Sequence, residues 1–326
     1  MKRKNKGFTL VELLAVIVIL ALIALIATPI ILNVINDAKK QAAKDSAYGY
    51  MDAVEKYIVS SELEDKSIQD GRYSVEELNK KISVKGSTPD NGNIEIKNSS
   101  VKSYDIGIDG YYITKDEVKK VSTTKKIENG TAVYYNPVYG EKCKSSEAVS
   151  TTGKNSGCMK WYVFNDKEGN ATVNVILDHN TTARVAWNST GNNSEMKEVA
   201  DALKKDTRTW KNTARLITAN EIAKITEKTG FDASKKNQDW FCLDTNQPDT
   251  TSYCAKAQGK SKYAWLFDYT YECTNYGCNT SDLSTWGYWT STSSWHVSRF
   301  GHLSNTNANY ADSGVRPVIT ISKSNI

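Results

Sequence analysis

The sequence predicts an α+β chain: a long N-terminal membrane-spanning α-helix packed on a small antiparallel β head, followed by a second α+β domain. Three observations carry this prediction. An apolar run covers Phe8–Ile35. The helical pattern then continues in amphipathic form. Beyond about residue 70, short alternating segments bounded by turn residues replace the helical period. The 326 residues correspond to about two domains at roughly 150 residues each. The boundaries fall at a leader 1–7, a helix and head 8–130, and a second domain 131–326.

The leader, MKRKNK, is basic. The run after Gly7 exceeds the ~20 residues that cross a hydrocarbon core. By the charge bias of membrane insertion the leader stays inside and everything after the run is exported. A secretory signal peptide would have a shorter apolar region and a small-residue cleavage site. A plain anchor fits the length but leaves Glu12 unexplained, because a carboxylate in lipid is costly. Mean hydropathy is −0.52, which excludes a polytopic membrane protein. The net charge is +5, and Lys2, Arg3, Lys4 and Lys6 supply four of those charges. The rest is nearly neutral, so bulk charge gives no case for a nucleic-acid partner.

From Asn33 the pattern turns amphipathic, with Val34, Ala38, Ala42, Met51, Val54 and Ile58 on one face. A helix from Phe8 to about Ser60 would be roughly 80 Å long. Ser74 with Glu77 forms a capping-box pattern opening a short helix to about Lys81. Thr88–Asn93 is a turn cluster. Asn93–Lys97 and Val101–Ile108 alternate as strands, and Asp109-Gly110 marks a hairpin. Lys119–Asn129 is charged and Thr-rich and reads as the boundary. Strands then follow at Thr131–Tyr135, Met159–Asn165 and Ala171–Leu177. Glu195–Lys205 is an amphipathic helix with Met196, Val199 and Leu203 inward. Arg215–Ile225 is a strand end, a Thr218 cap and a second short helix with Glu221 as reciprocal cap. Gly287–Thr292, Trp295–Phe300 and Gly314–Ile321 complete the strands.

Six cysteines, Cys143, Cys158, Cys242, Cys254, Cys273 and Cys278, all lie in the exported second half. An even number there suggests disulfides, and clustering favours the local pairs Cys143–Cys158, Cys242–Cys254 and Cys273–Cys278. Zinc lacks the C-x2-C spacing and finds few histidines. No metal or cofactor is expected. His179, His296 and His302 are accompanied by no nucleophile-elbow, metalloprotease or phosphate-loop motif. The tripeptide Gln247-Pro248-Asp249 reads as a turn.

Lys6-Gly7-Phe8-Thr9-Leu10-Val11-Glu12 resembles the prepilin motif of type IV pilins and pseudopilins. The resemblance implies that prepilin peptidase cuts between Gly7 and Phe8 and that Phe8 becomes N-methylated. It also implies that Glu12 pairs with the Phe8 amine, most simply that of a neighbouring subunit. In low dielectric such a pairing sets axial register. Pro29 matches a proline that many members carry. Partners would be other pilin subunits, the peptidase and the membrane before assembly. The chain would be a single-pass membrane protein first and a pilus or cell-surface protein afterwards.

The segments Ala214–Ile225, Gly287–Ser293 and Gly314–Ile321 resemble the C-type-lectin-like fold of the formylglycine-generating-enzyme-like superfamily. The structural reading of these motifs is that Trp289 and Val315 pack the core and that Arg316 is a buried or half-buried structural cation with a carboxylate partner. The catalytic cysteines of that superfamily do not carry over, so no enzyme activity is expected. The functional expectation is a minor pilin-like subunit presenting a lectin-like, adhesin-like domain to a glycan or protein ligand. The aromatic stretch Asp239–Trp286 would form its contact surface. The alternatives are a pseudopilin of a type II secretion or DNA-uptake machine, and a membrane-anchored surface enzyme.

Overall fold

A computed structural model describes residues 10–64, 66, 68–121, 125–148, 157–227, 231–233, 241–242, 262–266, 287–298 and 301–326. Helix α1 runs over Leu10–Leu63. Its apolar stripe meets the head through Ala43, Ala47, Tyr50, Met51, Val54 and Ile58. The stripe begins later than the pattern suggested: Val34 is 62% exposed, and Ala38 and Ala42 are also exposed. The two alanines at 43 and 47 are the small residues that let the sheet approach.

The head is a five-stranded antiparallel meander, β1 (Gly71–Ser74), β2 (Asn91–Lys97), β3 (Ser100–Ile108), β4 (Tyr111–Thr114) and β5 (Val118–Lys120). Between β1 and β2 lies α2 (Val75–Leu78), opened by the complete Ser74–Glu77 capping box. Period-two alternation sends Ile94, Ile96, Ile106, Ile108 and Ile113 to the helix. The hairpin at Asp109-Gly110 has both residues at positive φ, 48° and 80°, as a two-residue turn of primed type requires. The expected turn at Thr88–Asn93 gives way to strand from Asn91. Gly92, at φ 139°, allows this, because a Cβ there would stand 2.3 Å from the Asp105 carbonyl oxygen.

Among the described residues, the rest of the chain builds two six-stranded sheets. In chain order the strands are β6 (Ala132–Asn136), β7 (Glu141–Lys142), β8 (Met159–Phe164), β9 (Thr172–Leu177), β10 (Thr182–Val185), β11 (Arg215–Leu216) and β12 (Phe241–Cys242). They continue with β13 (Gly287–Trp289), β14 (Trp295–Ser298), β15 (His302–Asn305), β16 (Ser313–Val315) and β17 (Pro317–Ser322). One sheet is ordered β11-β17-β9-β8-β6-β7, the other β10-β16-β13-β14-β15-β12. The segment Gly314–Ile321 is therefore not one strand. It breaks at Arg316, so that β16 serves one sheet and β17 the other.

Among the described residues, three α-helices accompany these sheets: α3 (Ser145–Ala148), α4 (Glu198–Asp206) and α5 (Ala219–Ile225). Helix α4 starts at Glu198 rather than Glu195, because the preceding backbone is held by the Trp187–Asn188 loop. Lys197 N donates to Trp187 O, and Asn188 Nδ2 donates to Glu195 O. Val199 and Leu203 are buried as expected, while Met196 only flanks the core. Thr218 and Glu221 complete the reciprocal cap of α5.

Alternation along β8, β9 and β17 divides the interior. Trp161, Val163, Val173, Val175, Ile319 and Ile321 fill one face of their sheet together with Trp289 and Val315. Tyr162, Phe164, Ile176 and Val318 pack with α5, Tyr288 and Trp295 on the other. The remaining part of that second face, Thr172, Asn174 and Thr320, abuts β2 and β3 of the head. The head sheet is thus covered by α1 on one side and by the second unit on the other. The C-terminus is anchored by Lys323, whose buried Nζ lies 2.9 Å from Asp166 Oδ2 and donates to the carbonyls of Lys125 and Lys167.

Candidate assembly and binding surfaces

Residues Gly7 and Phe8 lie outside the described residues. Glu12 lies near the beginning of the described part of α1. From Leu10 to Ile35 the large apolar side chains are exposed, ranging from 84% at Leu10 to 43% at Ile35. This half of α1 is long and apolar enough to cross a membrane. Pro29 sits inside it and removes one N–H from the ladder, while Thr28 Oγ1 donates to the Ala24 carbonyl at 2.6 Å. A bare apolar helix of this kind can bury itself only in lipid or against other helices.

Between the head and the second unit lies a buried polar junction that sequence reasoning missed. Arg215 Nη1 and Nη2 donate to the two Glu221 carboxylate oxygens at 2.8 and 2.6 Å, while its Nε donates to Asn93 Oδ1 at 2.7 Å. Asn93 Nδ2 reaches Thr320 Oγ1, which in turn donates to Asn174 Oδ1. Asp105 accepts the N–H groups of Asn93 and Thr213. Burial alone would raise the Glu221 pKa, but Arg215 beside it and the Thr218 bonds hold it below the usual carboxylate value. Burial pushes Asp105 well up, against the Thr213 and Asn93 N–H groups and the nearby Arg215 and Arg72. The only sequence signal was Glu221, legible as a cap; nothing local marked Arg215 as its partner.

Trp289 and Val315 are fully buried, as expected of core residues. Arg316 is buried too, but its hydrogen-bond partners are not carboxylates. Its guanidinium donates to the carbonyls of Leu177, Leu266, Trp265 and Asp178 and stacks 5.0 Å from the Tyr288 ring centroid. The break between β16 and β17 delivers the side chain into a ring of strand-end and turn carbonyls, whose dipoles do the work of a counter-ion.

Cys143 and Cys158 form a disulfide joining the exit of β7 to the entry of β8. Glu147 lies close to both sulfurs, but the bond uses the thiols that a metal would need. Cys242 is on β12, opposite His302. Cys254, Cys273 and Cys278 lie outside the described residues, and with them the pairs Cys242–Cys254 and Cys273–Cys278. Gln247-Pro248-Asp249 and most of Asp239–Trp286 also lie outside them. Tyr263 and Trp265, within that stretch, are core residues.

The three histidines are buried on the second unit's strands and turns. Burial lowers His179 to about 3, with Asp178 opposing and Arg316 reinforcing the shift. Burial likewise lowers His296 to about 4, with Asp312 opposing and His302 reinforcing. His296 Nε2 is 3.1 Å from Ser304 Oγ, inside the sheet. Imidazoles this far below neutrality serve as neutral hydrogen-bonding core groups.

The prokaryotic N-terminal methylation motif matches residues 2–28. No curated protein and no solved structure shows significant similarity to the chain. The motif, continuous with an exposed apolar helix, supports a type IV pilin-like or pseudopilin subunit, which implies processing by prepilin peptidase and assembly with other pilins.

Proposed function

We propose that this chain is a minor subunit of a type IV pilin-like filament, cut between Gly7 and Phe8, that carries 131–326 outward as a lectin-like, adhesin-like binding domain. The observation that carries the reading is the matched motif running into a helix whose first half is bare and whose second half is packed. The bare half is suited to lipid before assembly and to neighbouring helices after it. A second domain larger than the head on every subunit would crowd a filament, which favours low abundance. The second domain binds rather than transforms its ligand: its histidines are core groups.

The test is expression in a host with a prepilin peptidase, followed by N-terminal peptide mass analysis. The mature chain should begin at N-methylated Phe8, and Gly7→Val should leave the uncut chain in the membrane. Glu12→Ala should insert normally but enter filaments less. A mature chain retaining Met1–Gly7, or Glu12→Ala subunits incorporated at the wild-type level, would refute the cleavage and pairing claims respectively. Adhesion undiminished by deletion of 131–326 would refute the binding role.

A further inference from the structure

The anchor at the C-terminus brings an amine and a carboxyl group into contact out of reach of water. Strand β17 ends at Ser322, and Lys323 opens a 3-10 turn, Lys323–Asn325, in which the Ser322 hydroxyl accepts the Ser324 N–H. Lys323 N donates to Ala171 O at 3.0 Å. Its Nζ stands 2.9 Å from Oδ2 of Asp166, in the loop between β8 and β9, and neither side chain is exposed at all. Asp166 is held from the other side, because Oδ2 also accepts the Ile127 N–H at 2.8 Å. Its Oδ1 accepts no hydrogen bond from the described residues. A buried carboxylate oxygen without a donor is costly. A reaction that removes this oxygen removes the cost.

We propose that Lys323 and Asp166 condense into an intramolecular isopeptide bond. One proton passes from the ammonium to the carboxylate within the contact, leaving an amine and a carboxylic acid. The Nζ lone pair attacks Asp166 Cγ and the C–N bond forms. The bond from Cγ to Oδ1 breaks, and this oxygen leaves as water, taking one further proton from the nitrogen. Ammonium plus carboxylate thus becomes amide plus water, with no change in net charge and no oxidant, reductant or co-reactant. Oδ2 stays as the amide oxygen and keeps the Ile127 N–H. The amide N–H keeps one of the two carbonyls, Lys125 or Lys167, to which Nζ donates. The other carbonyl loses a donor, which buried carbonyls tolerate better than N–H groups do.

Two features of the fold favour the step. Groups held in contact react as one molecule, with effective molarities of about 10⁵–10⁸ M. Burial also keeps out the water that hydrolysis would need. Asp90, at the entry to β2, lies within electrostatic reach of Lys323. Burial and Asp109 push it up to about 6, against Lys167 and Lys323, so it can take up and release a proton near neutral pH. The bond ties the end of β17 to the β8–β9 loop. Strand β17 lies between β11 and β9 and carries Thr320, one of the ties to the head. The link therefore closes a long loop of the unfolded chain and fixes the strand through which the two units meet. It does not depend on the assembly reading of α1.

The test is the intact mass of the full-length chain, folded in detergent and then reduced. The mass should fall short of the sequence mass by one water. Tryptic mapping should give one branched peptide joined through Asp166 and Lys323, with no cleavage after Lys323. Lys323→Arg keeps the positive charge but lacks the amine, and it should show its full sequence mass. That variant may not fold, so a second measurement uses the wild type alone. Chain recovered in urea without having folded should carry the full mass and lose one water on refolding. A folded wild-type chain at its full sequence mass would overturn the proposal and leave the contact an ion pair. So would a lost water that maps elsewhere, for example to a succinimide at Asp109-Gly110, or a loss that persists in Lys323→Arg.

Discussion

Arg215→Met removes one half of a buried ion pair and one of the ties between head and second unit. Arg215 and Glu221 expose 3% and 8% of their side chains, and the carboxylate receives two guanidinium N–H bonds. Deleting the cation leaves Glu221 buried and charged, which costs about 3–5 kcal/mol. For the soluble fragment beginning at Asn36, that should lower Tm by roughly 10 °C. The pH dependence has a definite sign. In the wild type the Glu221 pKa is depressed, so its contribution is present above the unfolded value near ~4.3 and lost as pH falls through the folded value. Without Arg215, burial dominates and raises that pKa, so the folded variant binds a proton sooner than the unfolded chain does. The deficit of Arg215→Met relative to wild type should therefore shrink between about pH 7 and pH 5. Arg215→Met combined with Glu221→Leu should recover part of the loss but not the Thr218 cap, which is worth ~1 kcal/mol. Denaturant unfolding at several pH values measures all of this. A single-variant cost below ~1 kcal/mol, or a deficit that does not narrow on acidification, would refute the reasoning.

Cys143→Ser opens a bridge of sequence separation 15 and should lower stability by about 3 kcal/mol or less, read from the denaturant midpoint of the oxidised protein. Gly92→Ala should cost ~2 kcal/mol or more by thermal melting, because its φ is 139° and the new Cβ meets Asp105 O at 2.3 Å and Ile106 Cα at 2.7 Å. Gly110→Asn is the control: its φ is 80° with open space around the Cβ position, and Asn tolerates that region, so the change should stay within about 1 kcal/mol.

The features legible before folding are those that short-range physics decides. The apolar run, the Ser74 and Thr218 capping boxes and the Asp109-Gly110 turn were all readable, because each is set by residues within a few positions of one another. The Cys143–Cys158 pairing was legible for the same reason. Period-two alternation marked β2 and β3, and β8 and β9 also read as strands, though not which sheet each would enter. The rest follows from contacts between distant parts of the chain. Ala43 and Ala47, not Ala38 and Ala42, open the helix–sheet contact, because the helical phase is set by where the sheet can approach. Arg316 finds carbonyls instead of a carboxylate because the chain breaks there to serve two sheets. The junction of Asn93, Asp105, Arg215 and Thr320 joins positions more than a hundred residues apart. Each polar side chain in it looks like an ordinary surface residue in the sequence. Their burial follows from two sheets meeting face to face, and no local pattern encodes that meeting.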